Sequence, residues 1–215
     1  DVPSWSAPSS SAPNPGGSVS TLDGRMLNVQ WRDGILYTCH AINGPANNTV
    51  SRWYSFDVQS PISPVLLQSG NIDMPSGVHN FFPAIGVNAY GDVGLAMAMA
   101  SANDVPSMQV TGRRADDPAG TMGSLTETQT GTDGADGRYG DYYDMTIDPV
   151  DDVTFWYVGE VSMNFGWQTC VGSFTITQPN TCPADANGDG EVDVTDLLAA
   201  IAQWGEDGSA ADTAA

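Results

Sequence analysis

Between Arg25 and Ile176 the chain repeats one figure: a short β-rich run, a tight turn of Asp, Asn and Gly, a more apolar run, then one or two further runs. The first copy reads Met26–Trp31, a turn at Arg32-Asp33-Gly34, Ile35–His40, Ser51–Phe56 and Val65–Gln68. The second reads Phe82–Val87, a turn from Asn88 to Asp92, Gly94–Ala100, Ser107–Thr111 and Gly123–Thr128. The third reads Asp144–Ile147, a turn from Asp148 to Asp152, Thr154–Val158 and Gln168–Phe174. Runs of this length, rich in β-branched and aromatic residues and bounded by turn formers, are strands. The figure therefore restricts residues 22–178 to a mainly β fold of three successive antiparallel units, recurring at roughly 50 to 60 residues.

Composition narrows the partners. Twenty-six acidic residues face six arginines, lysine is absent, and the formal net charge is −20. Neutralising phosphates needs a basic face that this chain cannot assemble, so nucleic acid is excluded as an expected partner. No stretch is apolar and long enough for a membrane span. A calcium-rich, salty, extracellular medium would screen the excess negative charge. Residues 1–21 form a Ser/Pro/Gly/Ala tract, expected as an extended arm or linker that does not fold by itself.

A different signal lies near the C-terminus. Asp185, Asn187 and Asp189 occupy positions one, three and five of a twelve-residue loop, and Gly190 supplies the sharp turn at six. The backbone carbonyl of Glu191 serves position seven, Asp193 position nine and Asp196 position twelve. A hard cation needs that oxygen cage, so Ca2+ is the expected cofactor. After the loop, Leu197, Leu198, Ile201 and Trp204 fall on one helical face and Gly205 is placed to end the helix.

The loop with Asp at position twelve, the helix behind it and the opening Cys182-Pro-Ala-Asp185 resemble the dockerin-like anchoring modules of exported bacterial proteins. The resemblance covers Cys182 to about Gly205 and one loop only, whereas dockerins pair two. The segments Phe82–Asp92, Arg138–Asp148 and Thr154–Trp156 are similar to blades of sialidase-like β-propellers. Together these resemblances imply three propeller-like antiparallel blades, a partial or open propeller, with a small calcium loop-helix over 179–215. They imply a secreted or cell-surface protein. Three blades do not close a ring, so the chain is expected to be either part of a longer precursor or an open array whose edges meet another chain.

Two functional expectations follow. One is a calcium-binding structural or attachment protein that assembles head to tail with copies of itself, or with another surface protein, through β edges and the N-terminal arm. The alternative is a carbohydrate-binding or sialidase-like glycoside hydrolase fragment of a larger dockerin-anchored precursor. In that second reading Arg138 clamps a substrate carboxylate, Tyr142 or Tyr143 is the nucleophile and Asp141 the acid/base. The same stretch also offers Asp133, Asp136 and Asp141 as a second calcium site, or a plain turn with Arg138 paired to an aspartate. Exposed tryptophans at Trp31, Trp53, Trp156 and Trp167 are read either as sugar platforms or as packing. His40 and His79 form no visible triad. Cys39, Cys170 and Cys182 leave at least one thiol unpaired.

Overall fold

The computed structural model describes residues 1–60, 63–164, 166–178 and 192–202. The chain divides into two compact units, Asp1–Ile176 and Thr177–Ala215. Within the first unit the β-rich figure becomes three antiparallel meanders. The first sheet runs in order through β3 (Asn28–Arg32), β4 (Ile35–Asn43), β5 (Thr49–Asp57) and β6 (Val65–Ile72), with the β1–β2 hairpin described below preceding it in the chain. The second sheet takes in β7 (Val78–Val87), β8 (Val93–Ser101), β9 (Asp104–Arg113) and β10 (Thr126–Gln129). The third has three strands, β11 (Asp144–Ile147), β12 (Phe155–Met163) and β13 (Gly166–Phe174). Each unit read from the sequence thus forms a separate sheet with its strands in chain order.

The turns explain the register. Asp33 and Gly34 both take positive φ, 50° and 83°, the two-residue hairpin turn whose twist suits antiparallel strands. In the second sheet the Asn88 side chain accepts from the Tyr90 and Asp92 backbone N–H groups, closing a longer Asx turn. In the third, Asp148 does the same for Val150.

The three sheets stack face to face, with the second in the middle. β7 packs on β3, β4 and β5 on one side and on β11 on the other, and β12 lies against β8 and β9. Two cores result. Tyr37, Cys39 and Trp53 of the first sheet meet Ile85, Leu95 and Met97 of the second. Ala84, Ala96, Ala98 and Met108 on the second sheet's opposite face meet Met145, Phe155 and Tyr157 of the third. Because β8 is covered on both faces it reads Val-Gly-Leu-Ala-Met-Ala-Met-Ala-Ser, buried throughout, without polar alternation. Close approach demands small residues here: a Cβ on Gly94 would lie 2.7 Å from the Phe155 ring.

Side chains also tie the leading strands together. Asn28 donates to Asp144 Oδ1 at 2.7 Å and accepts from the Ile85 N–H at 3.0 Å, so one residue of β3 bonds to both β7 and β11. Gln30 donates to the Met145 carbonyl. At the turn end, Arg32 pairs with Asp152 and donates to the Val87 carbonyl.

The Ser/Pro tract is folded, which corrects the expectation of a free arm over residues 1–21. β1 (Ser11–Asn14) and β2 (Gly17–Ser20) form a hairpin, and Ala12 and Val19 are fully buried in the core shared with the second and third sheets. Asn14 holds the hairpin by bonding both backbone groups of Ala135. Upstream, Trp5 packs edge-on against His40, and Arg52 donates to the Pro3 and Ser4 carbonyls. Composition underrated this segment because its burial is supplied by partners distant in the chain, from His40 to Ala135.

In the second unit the described residues include one helix, α1 (Val194–Ala202). Among the described residues no helix is long and apolar enough to cross a membrane.

Candidate functional site

Arg138, Asp141 and Tyr142 come together as their spacing suggested. They lie in the loop between β10 and β11, where Gly137 and Gly140 take positive φ, 79° and 59°, and allow the chain to double back. The Arg138 Nε–H donates to Asp141 Oδ2 and its Nη2 to the Tyr142 hydroxyl at 3.4 Å. The carboxylate of Asp141 is buried and raises the Arg138 pKa by that hydrogen bond and by its charge. This is the Arg–Asp turn pairing that the sequence left open as one alternative.

The structure adds what the sequence did not supply. Glu160 on β12 and Trp167 on β13 line the same hollow as Arg138, Asp141 and Tyr142, about 360 Å³ in volume. Arg138 also borders a hollow running past Gly166 and one running past Arg25 and Leu27, so the three form one groove. Glu160 is set by its neighbours. Its Oε2 accepts from the Gly140 N–H at 3.1 Å, and its backbone carbonyl accepts from the hydroxyls of Tyr139 and Tyr143. Partial burial raises the Glu160 pKa, the Gly140 N–H opposes that rise, and the nearby Asp141 charge adds to it. Trp167 and Tyr142 are 69% and 77% exposed, two open aromatic faces along one groove.

Other placements redefine the candidate roles. Tyr143 is buried with its hydroxyl bound to the Glu160 carbonyl, and burial holds its pKa far above the ordinary phenol value. It is a packing residue rather than a nucleophile. The three converging arginines that a sialidase needs are not assembled. Arg25 pairs with Asp23, Arg32 with Asp152, Arg114 with Asp116 and Asp117, and Arg138 with Asp141. Arg52 is bound to Asn71, and Arg113 lies over the Trp53 ring. Trp53 itself is fully buried, so it is packing and not a sugar platform.

Asp133, Asp136 and Asp141 do not converge either. Asp133 accepts from the Thr132 hydroxyl, Asp136 from the Ser18 N–H, and Asp141 from Arg138. Among the described residues no group of three His, Cys, Asp or Glu side chains could hold a metal ion. Within the C-terminal calcium loop, Asp185, Asn187, Asp189 and Glu191 lie outside the described residues. Asp193 and Asp196 are described and cap α1 reciprocally. Asp193 Oδ1 accepts from the Thr195 N–H, and Asp196 Oδ2 accepts from the Asp193 N–H, each at 2.7 Å.

Both histidines are structural. His40 bridges the Gly24 carbonyl and the Tyr54 hydroxyl, and His79 Nδ1 accepts from the Thr49 N–H. Cys39 is a buried free thiol donating to the Pro83 carbonyl, Cys170 is also free, and Cys182 lies outside the described residues.

No family model matches the chain, and no curated protein matches it. Among solved structures, a protein of unknown function from Dyadobacter fermentans aligns with 83% of this chain at 10% identity and a TM-score of 0.46. The chain spans 49% of that protein's length.

Proposed function

We propose that this chain is a secreted, calcium-binding structural or attachment protein whose sheets act as blades of an open, propeller-like stack, extended head to tail by further copies. One observation carries the reading. The outward faces of the first and third sheets expose apolar side chains among the described residues, Val29 and Trp31 on one, beside the part that Trp5 covers at His40, and Trp156 and Val171 on the other. The free face of the first sheet corresponds to the faces by which the second and third sheets receive their predecessors. The free face of the third corresponds to those by which the first and second receive their successors. A second copy seated front to back would therefore repeat the contact already made twice inside the chain, a heterologous interface that propagates or closes by rotation alone. Among the described residues the third sheet is one strand shorter than its neighbours and ends at β13.

Calcium is the proposed cofactor of the C-terminal unit, held by Asp185, Asn187, Asp189, the Glu191 carbonyl, Asp193 and Asp196. Of these, the described Asp193 and Asp196 carry carboxylates, the donor type a hard cation takes, and they cap α1. The ion would offset part of the −20 charge there. No catalytic role is proposed for the chain.

Light scattering with calcium and with chelator tests both elements. Concentration-dependent oligomers in calcium that Trp31→Asp abolishes are expected, and a monodisperse monomer at every concentration in calcium would overturn the assembly. Calorimetric titration of the chelated chain with CaCl2 should show binding that Asp185→Ala and Asp189→Ala remove.

A further inference from the structure

The groove around Arg138 carries polar chemistry that the assembly reading does not use, although its Glu160 and Trp167 share the outward face of the third sheet with Trp156 and Val171. It lies at the far end of β12 and β13 from Trp156: Ser162 pairs with Trp167, whereas Trp156 pairs with Ser173. Six residues of strand separate Trp156 from Ser162, about 20 Å. Its polar atoms are only partly used. Arg138 Nη1, Glu160 Oε1 and the Trp167 indole N–H take no hydrogen bond from the described residues. Arg138, Glu160 and Trp167 line one hollow, and Tyr142 lines that hollow and the adjoining one.

We propose that this groove binds a neutral glycan, with a pyranose lying on Trp167, its hydroxyls donating to Glu160 Oε1 and accepting from Arg138 Nη1, and the next sugar reaching Tyr142. A sugar ring has an apolar C–H face and an equatorial rim of hydroxyls. An open indole beside one carboxylate acceptor and one guanidinium donor answers both. The charge pattern selects the neutral class. Both arginines of the groove are already paired, Arg25 with Asp23 and Arg138 with Asp141. A ligand carboxylate would meet Glu160 and Asp136 with no unpaired cation to receive it, on a chain of net charge −20. Sialic and uronic acids are thereby disfavoured. The Gly140 N–H on Glu160 Oε2 and the carboxylate on Arg138 fix both polar groups before a ligand arrives, which limits the ordering cost of binding.

The full chain would be run in native gels cast with soluble mixed-linkage glucan, galactomannan, arabinoxylan or, separately, polygalacturonate and polysialic acid. Retardation by at least one neutral polysaccharide is expected. Trp167→Ala should raise the apparent Kd about tenfold or more and Trp167→Tyr should restore most of the binding. Glu160→Gln should weaken it with the fold intact by circular dichroism. Trp31→Asp, on the first sheet, should bind at least as well as the unaltered chain, because it leaves every groove residue in place. Retardation by none of the neutral polysaccharides, retardation by the anionic ones alone, or unaltered binding in folded Trp167→Ala would overturn the proposal.

Discussion

The second and third sheets are built from neighbouring stretches of one chain, yet they obey different rules. The second is covered on both faces, and its strand β8 is a run of Val, Gly, Leu, Ala and Met with no polar residue before its last position, Ser101. The third is covered on one face, and β12 alternates Phe155 and Tyr157 inward with Trp156 and Val158 outward. Identical strand topology thus carries a continuous pattern in one place and an alternating one in the other. What decides is the number of neighbours, and the residue sizes follow: alanines and glycine where two sheets must approach, large rings where one face is free to reach in.

The sharpest way to break this comparison is to strike the two faces of the third sheet separately. Phe155→Ala, on the covered face, is expected to cost about 3–5 kcal/mol in urea unfolding, because it empties the space against Gly94 and Phe174. Val171→Ala, on the open face, is expected to change stability by no more than about 0.5 kcal/mol. Equal costs would mean that the open face is covered. Overfilling the middle sheet should come next. Gly94→Ala is expected to cost about 1–3 kcal/mol, since the Phe155 and Phe174 rings would have to move.

Acid should act on the first sheet and on the start of the second, where His79 of β7 accepts from Thr49 of β5, more than on the third. His40 and His79 are held below their ordinary pKa of 6.5, by burial in both cases and additionally, for His40, by the Arg52 charge. The neutral form is favoured in the folded state, so stability is complete above 6.5 and falls as pH drops below it toward the depressed folded values. Denaturant melts at pH 7.5 and 5.5 should show this loss, and His40→Gln should reduce it. Glu160 runs the other way. Its folded pKa is raised, so its ionisation opposes folding at neutral pH and that penalty fades as the carboxylate protonates. The smallest effect is expected at the Arg32–Asp152 pair, where the exposure of Asp152 should leave the same melts nearly unmoved by Asp152→Asn.

Strands were legible where turn chemistry and strand chemistry alternate in the sequence. Asp33-Gly34, Asn88–Asp92 and Asp148–Asp152 fix three hairpins by local forces, and local forces are visible in sequence. The β1–β2 hairpin was not legible, because Pro and Ser promise no burial until Gly134 and Ala135 close over them. The candidate site divides the same way. Arg138, Asp141 and Tyr142 are neighbours in the chain and were found by spacing. Glu160 and Trp167 reach them through the β12–β13 register and the fold of the intervening loop, which no local pattern announces. Trp167 was visible as an aromatic in a strand, but not the direction it would face.

The two bonds of Asn28 set a timetable for synthesis. Its partners lie 57 and 116 residues downstream, so when β3 leaves the ribosome neither exists. At typical elongation rates of about 5–20 residues per second, the wait for Asp144 lasts roughly 6 to 23 seconds. The inner face of the first sheet is matched earlier, by Ile85, Leu95 and Met97, whereas the third-sheet part of the core around Ala12 and Val19 comes only after Asp144. The leading strand of the domain is thus held by residues translated seconds after it, and its final register is set late.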